Sequence, residues 1–145
     1  MTVKSSTGLR NHLMATGSFK GAMTGGSIRI FAGPAPADAD AAETGTLLCV
    51  VTNNGTGTGI TFAAAATAGV LPKASGEVWS GTNVASGTAT HYRLVAAGDT
   101  GTASTTEARQ QGTVGTIGAD MNISSVTLTS GAQQSIDYAT MTLLP

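Results

Sequence analysis

The only tryptophan, Trp79, and one of the two tyrosines, Tyr92, fall in a single stretch, residues 76–96. Aromatic residues make up 4% of the sequence, so no other hairpin can contribute as much to a core. It reads as two strands, residues 77–81 and 88–96, joined as a hairpin by a turn rich in Gly, Asn and Ser. In the second strand Thr90, Tyr92, Leu94 and Ala96 share one face, and Ala89, His91, Arg93 and Val95 the other. The expected core anchors are Val78, Trp79, Tyr92 and Leu94. Burying a tryptophan removes roughly 150–250 Å² from water, about 4–6 kcal/mol as an upper bound. His91, on the opposite face from Tyr92, is expected at the surface or in an interface.

Further alternating segments make the expected class all-β, an antiparallel sandwich or barrel with a short N-terminal helical segment. Residues 27–31 alternate Ile28 and Ile30 with Arg29 and read as a strand. Residues 46–52 are apolar on both faces and read as a central one. Short strands are expected at 60–62, 107–116, 121–123 and 126–129, and a long final one at 134–144. Gly112 marks a bulge or a close backbone approach. Residues 63–68 are too rich in alanine to decide between a helical turn and an extended loop.

Helical spacing is confined to the start. Ser5, Ser6 or Thr7 can cap a helix in which Leu9 and Leu13 share a face, with Gly17 as its stop. A second turn over 18–23 brings Phe19, Ala22 and Met23. The grammar changes at Gly25-Gly26, which divides the chain into an N-terminal helical arm (1–24) and a β body (25–145) of one domain. The arm carries Lys4, Arg10 and Lys20, three of the seven basic residues. It is too short to be a stable helix alone, so its apolar residues must pack on something. They either plug the β body or dock on a partner. In the docking version Leu9, Arg10, Leu13, Phe19 and Lys20 are the contact residues.

Charged residues are 10% of the sequence, against about 25% in ordinary globular domains. Thr, Ser, Gly and Ala replace them. Such a surface is weakly protected against association, which points to an assembly component. Net charge is −1 with no basic stripe, so nucleic-acid binding is not expected. The first residues lack the apolar core of a signal peptide, and no apolar run approaches a membrane span. Cys49, alone in an apolar run, reads as a buried small hydrophobe.

No motif carries a reaction. The loop Gly55-Thr56-Gly57-Thr58-Gly59 lacks the Lys-Ser/Thr ending of a phosphate loop. His12, His91 and Cys49 have no zinc spacing. Asp38, Asp40 and Glu43 form a local carboxylate cluster without calcium-loop spacing, and read as a solvated loop. Glu77, Asp99, Glu107, Asp120 and Asp137 lie near turns or strand ends, with few aromatic platforms for a sugar. Arg29, Arg93 and Arg109 sit mid-strand, where each can pair across the sheet or reach a partner. The expectation is no enzyme activity, no cofactor and no metal.

Several segments, taken in order, carry a resemblance. They are Gly8-Leu9-Arg10-Asn11, Ile28-Arg29-Ile30-Phe31-Ala32-Gly33, Glu43-Thr44-Gly45-Thr46-Leu47-Leu48, Val78-Trp79-Ser80-Gly81 and Gly87-Thr88-Ala89-Thr90-His91-Tyr92-Arg93. Gln111-Gly112-Thr113-Val114-Gly115, Gly118-Ala119-Asp120-Met121-Asn122 and the ending from Ile136 to Thr142 complete the set. In this order they resemble small structural proteins of tailed bacteriophages. The resemblance implies a virion component, assembled in the host cytoplasm. Within virions it favours a capsid decoration (cement) protein on the head surface, bound to the major capsid protein and to sister copies. A homo-oligomer is implied, a trimer among the candidates. Tail or head-to-tail components, and a carbohydrate-binding module of a tail spike, are the alternatives. The resemblance assigns no functional residue.

Overall fold

The computed structural model describes residues 3–142. In chain order the elements are β1 (Lys4–Ser5), α1 (Thr7–Ala15), α2 (Phe19–Met23), β2 (Ser27–Ala32), β3 (Thr46–Asn53), β4 (Val70–Pro72) and β5 (Trp79–Thr82). Then come β6 (Gly87–Val95), β7 (Arg109–Gly115), β8 (Met121–Asn122), β9 (Thr127–Leu128), β10 (Gln133–Ile136) and β11 (Thr140–Thr142). The protein is all-β with a short helical start. Nine strands share one sheet in the order β1-β7-β6-β2-β3-β5-β10, with β8 added to β7 and β9 to β6. β11 pairs with β4 separately. Among the described residues only β7 and β8 run parallel.

β2 is the centre of the sheet, not an edge. Ile28 lies between Val51 and Leu94, and Ile30 between Cys49 and Tyr92. These residues form the apolar inner face, with Trp79 fully buried among them. The Trp79 ring meets Phe62 edge-on at 5.6 Å, and Phe62 meets Phe19 at 5.9 Å. The indole Nε1 donates to Glu77 Oε2 at 2.7 Å, which satisfies the one polar atom of the ring. Tyr92 and Leu94 are buried in the same core. Val78 is not an anchor: it is 49% exposed. Neighbouring residues of an extended chain point to opposite sides, so burial of Trp79 turns Val78 outward.

The expected hairpin does not form. β5 pairs with β3 and β10, whereas β6 lies between β2 and β7. The intervening residues are used elsewhere: Asn83 N donates to Ala132 O and Val84 N to Leu48 O, both at 2.8 Å. Gly81 fixes the placement, since a Cβ there would lie 2.1 Å from Val50 O. The final strand is also broken. β10 leaves β5 after Ile136, Lys73 N donates to Ala139 O at 3.0 Å, and the chain resumes on β4. Leu143 and Leu144 lie outside the described residues. Residues 60–62 form no strand, only an isolated bridge from Phe62 to Lys73. Residues 63–68 are irregular and lead into a turn with Ala68 at φ 51°.

The N-terminal segment belongs to the body. Ser6 caps α1 by accepting from Leu9 N at 3.1 Å. The same hydroxyl donates to Glu107 O at 2.7 Å and accepts from Arg109 N at 2.9 Å, tying the helix to β7. Leu9 and Met23 are fully buried, with Leu13, Phe19 and Ala22 packed against the core. Leu9 is therefore withdrawn from the set of partner contacts. Arg10 stays exposed, and Lys20 Nζ donates to Ala63 O at 2.8 Å and to Ala64 O at 3.2 Å.

The opposite face of the sheet is polar yet covered. Arg29 and Phe31 of β2, His91 and Arg93 of β6, and Arg109 and Gln111 of β7 lie there, beneath the loops spanning residues 33–45 and 96–108. His91 is 1% exposed, not a surface residue. It stacks on Phe31 with ring centroids 5.2 Å apart.

Candidate functional site

Two places concentrate chemistry: the covered arginine face and an open cleft on the other side of the sheet. In the first, Arg109 grips Asp99 at two points, Nε to Oδ2 at 2.5 Å and Nη2 to Oδ1 at 3.1 Å. Arg109 Nη2 also donates to Thr102 O at 2.7 Å. Arg29 reaches Glu43 Oε1 at 2.6 Å and Asp99 O at 2.6 Å. Arg93 donates to the carbonyls of Ala41 (2.8 Å) and Asp38 (3.3 Å) and to Gln111 Oε1 (2.7 Å). Burial, and then the nearby charge of Arg109, lowers the Arg93 pKa. Gln111 Nε2 donates in turn to Pro36 O at 2.9 Å. These guanidinium donors are spent on the protein's own loops. The face works as a clamp holding two irregular segments to the sheet.

The carboxylates of the acidic loop go to separate partners. Asp38 Oδ1 accepts from Asp40 N and Ala41 N, as a helix or turn cap does. Asp40 accepts from Thr7 N at 2.7 Å and Thr7 Oγ1 at 2.6 Å. The Thr7 hydroxyl bond holds the Asp40 carboxyl below its ordinary pKa. Glu43 is taken by Arg29. Among the described residues no three His, Cys, Asp or Glu side chains converge as metal ligands do. Cys49 is buried, which pushes its thiol up to about 11. The Nε2 atoms of His12 and His91 are buried without a hydrogen-bond partner among the described residues. The glycine loop at 55–59 closes on its own strand through Asn53 N to Thr58 O and Gly57 N to Thr52 Oγ1.

The cleft, of about 630 Å³, opens over the inner face. Ile28, Tyr92 and Leu94 form its floor, residues 120–124 one wall and residues 133–141 the other. Gly112 admits the Tyr92 ring, since a Cβ at 112 would lie 2.7 Å from Cε1. Asp120 Oδ2 accepts from Thr113 N at 2.8 Å and Thr113 Oγ1 at 2.9 Å. Burial, with Asp120 adding its charge, pushes the Tyr92 hydroxyl up to about 12. Opposite them stand Asp137 and Tyr138, the latter 81% exposed. A smaller hollow of about 380 Å³ lies between Phe19, Lys20 and residues 64–71.

Of the residues singled out in the sequence, Tyr92 and Leu94 reach the cleft as its floor, while Trp79 and Leu9 lie in the core. Phe19 and Lys20 line the smaller hollow. The cleft as such was not legible, because alternation through residues 134–144 placed Tyr138 in line with buried Ile136. The break after Ile136 is what frees it. Comparison with family models, with curated proteins and with solved structures finds no match to this chain.

Proposed function

We propose that this is a non-enzymatic structural protein of a tailed-phage virion, specifically a decoration protein on the outer surface of the head. Its partners are the major capsid protein and sister copies. One observation supports the reading beyond the ordered sequence resemblance: how the charge is distributed. The chain has seven basic and eight acidic side chains. Arg29, Arg93, Arg109, Glu43 and Asp99 are all engaged in the covered network. The other ten charged side chains, Arg10 and Asp137 among them, are spread thinly over a surface rich in Thr, Ser, Gly and Ala, with large apolar side chains standing out: Ile117 is 89% exposed and Met14 86%. Few charges and protruding apolar groups make a surface suited to many weak contacts. A rigid body with pinned loops presents those contacts without an ordering cost at each site.

The test is reconstitution. Purified protein is added to phage heads lacking it, and the heads are sedimented. The reading predicts saturable co-sedimentation and a higher temperature for genome release. Binding that never saturates, or none at all, would overturn it.

A further inference from the structure

The sheet does not end in two blunt edges. β8 pairs on one side only, with β7, and β10 on one side only, with β5, among the described residues. Both strands face the cleft: Met121 and Asn122 line one wall, and Gln133 to Ile136 line the other. The cleft, of about 630 Å³, thus lies between two strands of one sheet that are each paired on one side only among the described residues. That volume is within the roughly 300–1,000 Å³ of ligand pockets.

An open strand edge is a row of backbone donors and acceptors, and its natural complement is another extended backbone. The floor beneath the edges is apolar: Ile28, Leu94, Ile123 and Ile136 line the cleft, each less than a tenth exposed. The charge is one-sided. Among the described residues Asp120 and Asp137 line the cleft and no lysine, arginine or histidine does. Asp137 and Tyr138 have no side-chain hydrogen bond to any described residue. A carboxylate beside an exposed aromatic ring is a combination that favours a cation.

We propose that this cleft binds an extended peptide segment of a partner protein by strand addition, with apolar residues alternating inward and a lysine or arginine meeting Asp137 and Asp120. The inference goes beyond the virion reading and stands on the cleft alone. A peptide is favoured over a glycan because each wall offers an open strand edge. It is favoured over nucleic acid because both charges are negative.

The probe is a fluorescent, end-blocked peptide of sequence lysine-valine-threonine-valine-threonine-lysine, tested against the full chain. A second peptide has glutamate in place of both lysines. Binding is followed by anisotropy, and the site by amide shifts in an ¹⁵N-labelled sample. The lysine peptide should bind about tenfold more tightly than the glutamate peptide, and less tightly as salt is raised. Shifts should concentrate at residues 121–123 and 133–136. Asp137→Asn should weaken the lysine peptide severalfold with an unchanged melting temperature, because Asp137 is exposed. Equal binding of the two peptides, shifts elsewhere, or no binding at millimolar peptide would overturn the proposal. So would a neutral hexasaccharide that moves the same amides while the peptide does not. None of these outcomes depends on where the protein sits in a virion.

Discussion

Arg109 and Asp99 meet in the interior with both side chains at zero exposure, joined by contacts of 2.5 and 3.1 Å. The pair lies on the face of the sheet that a simple two-layer reading would give to solvent. Asp99 also accepts from Gly101 N at 2.7 Å and lies 3.7 Å from Arg29, so one carboxylate fastens a loop and serves two guanidiniums. Removing water from such charges is costly, and the arrangement survives because each is bonded.

Breaking the pair is therefore more damaging than its surface counterparts would suggest. Asp99→Asn leaves Arg109 buried with no full counter-charge and should cost about 3–5 kcal/mol. Urea unfolding of the variant measures this. A cost under about 1 kcal/mol, the range of exposed pairs, would show that the loops open enough to hydrate Arg109.

Trp79 and Val78 are adjacent in sequence and opposite in burial. Trp79→Ala should cost about 3–5 kcal/mol, whereas Val78→Ala should stay within about 0.5 kcal/mol. Denaturant midpoints of the two variants decide it. Equal midpoints would mean that the alternation is reversed.

His91 gives a pH dependence with a definite sign. Burial lowers its pKa and the charge of Arg93 adds to this, while a hydrogen bond to the Gly33 backbone and the charge of Glu43 oppose it without reversing it. The unfolded chain, with histidine near 6.5, then binds more protons than the folded one between the two values. The stability tied to His91 is complete above about pH 6.5 and is lost as pH falls through the folded value. Melting temperature should drop from pH 7.5 to 5.5 in the wild type, and less so in His91→Phe, which keeps the stacking on Phe31. Parallel curves would assign the drop to other groups.

Residues 3–24 are a structural part of the body. Leu9→Ala should cost about 2–5 kcal/mol, the range for a fully buried leucine. A chain lacking residues 1–24 also loses Ser6 and its bonds to β7, and should aggregate. A truncated chain that folds with near-normal stability would return the segment to the role of a detachable arm.

Alternation was a good guide to which residues share a face. Ile28 with Ile30, and Tyr92 with Leu94, are on the inner face, and His91 with Arg93 on the other. It could not say which faces meet water. His91 and Arg93 read as outward because their own strand says so. The covering comes from an irregular loop about fifty residues away, whose carbonyls of Asp38 and Ala41 receive Arg93. Pairing was the weaker inference for a related reason. The Gly- and Asn-rich link after β5 looks like a local turn, but Asn83 and Val84 bond to Ala132 and Leu48. Distant partners decided the topology there, and nothing local announces them. The cleft depended on the break after Ile136 and was hidden for the same reason.

The central claim concerns position on a particle, and imaging tests it most directly. Purified phage heads and complete virions would be reconstituted with protein carrying a gold label on an engineered surface cysteine, then viewed by electron cryomicroscopy. The account predicts label spread over the head at regular lattice positions, with none on the tail. Label confined to the tail or the neck would contradict it.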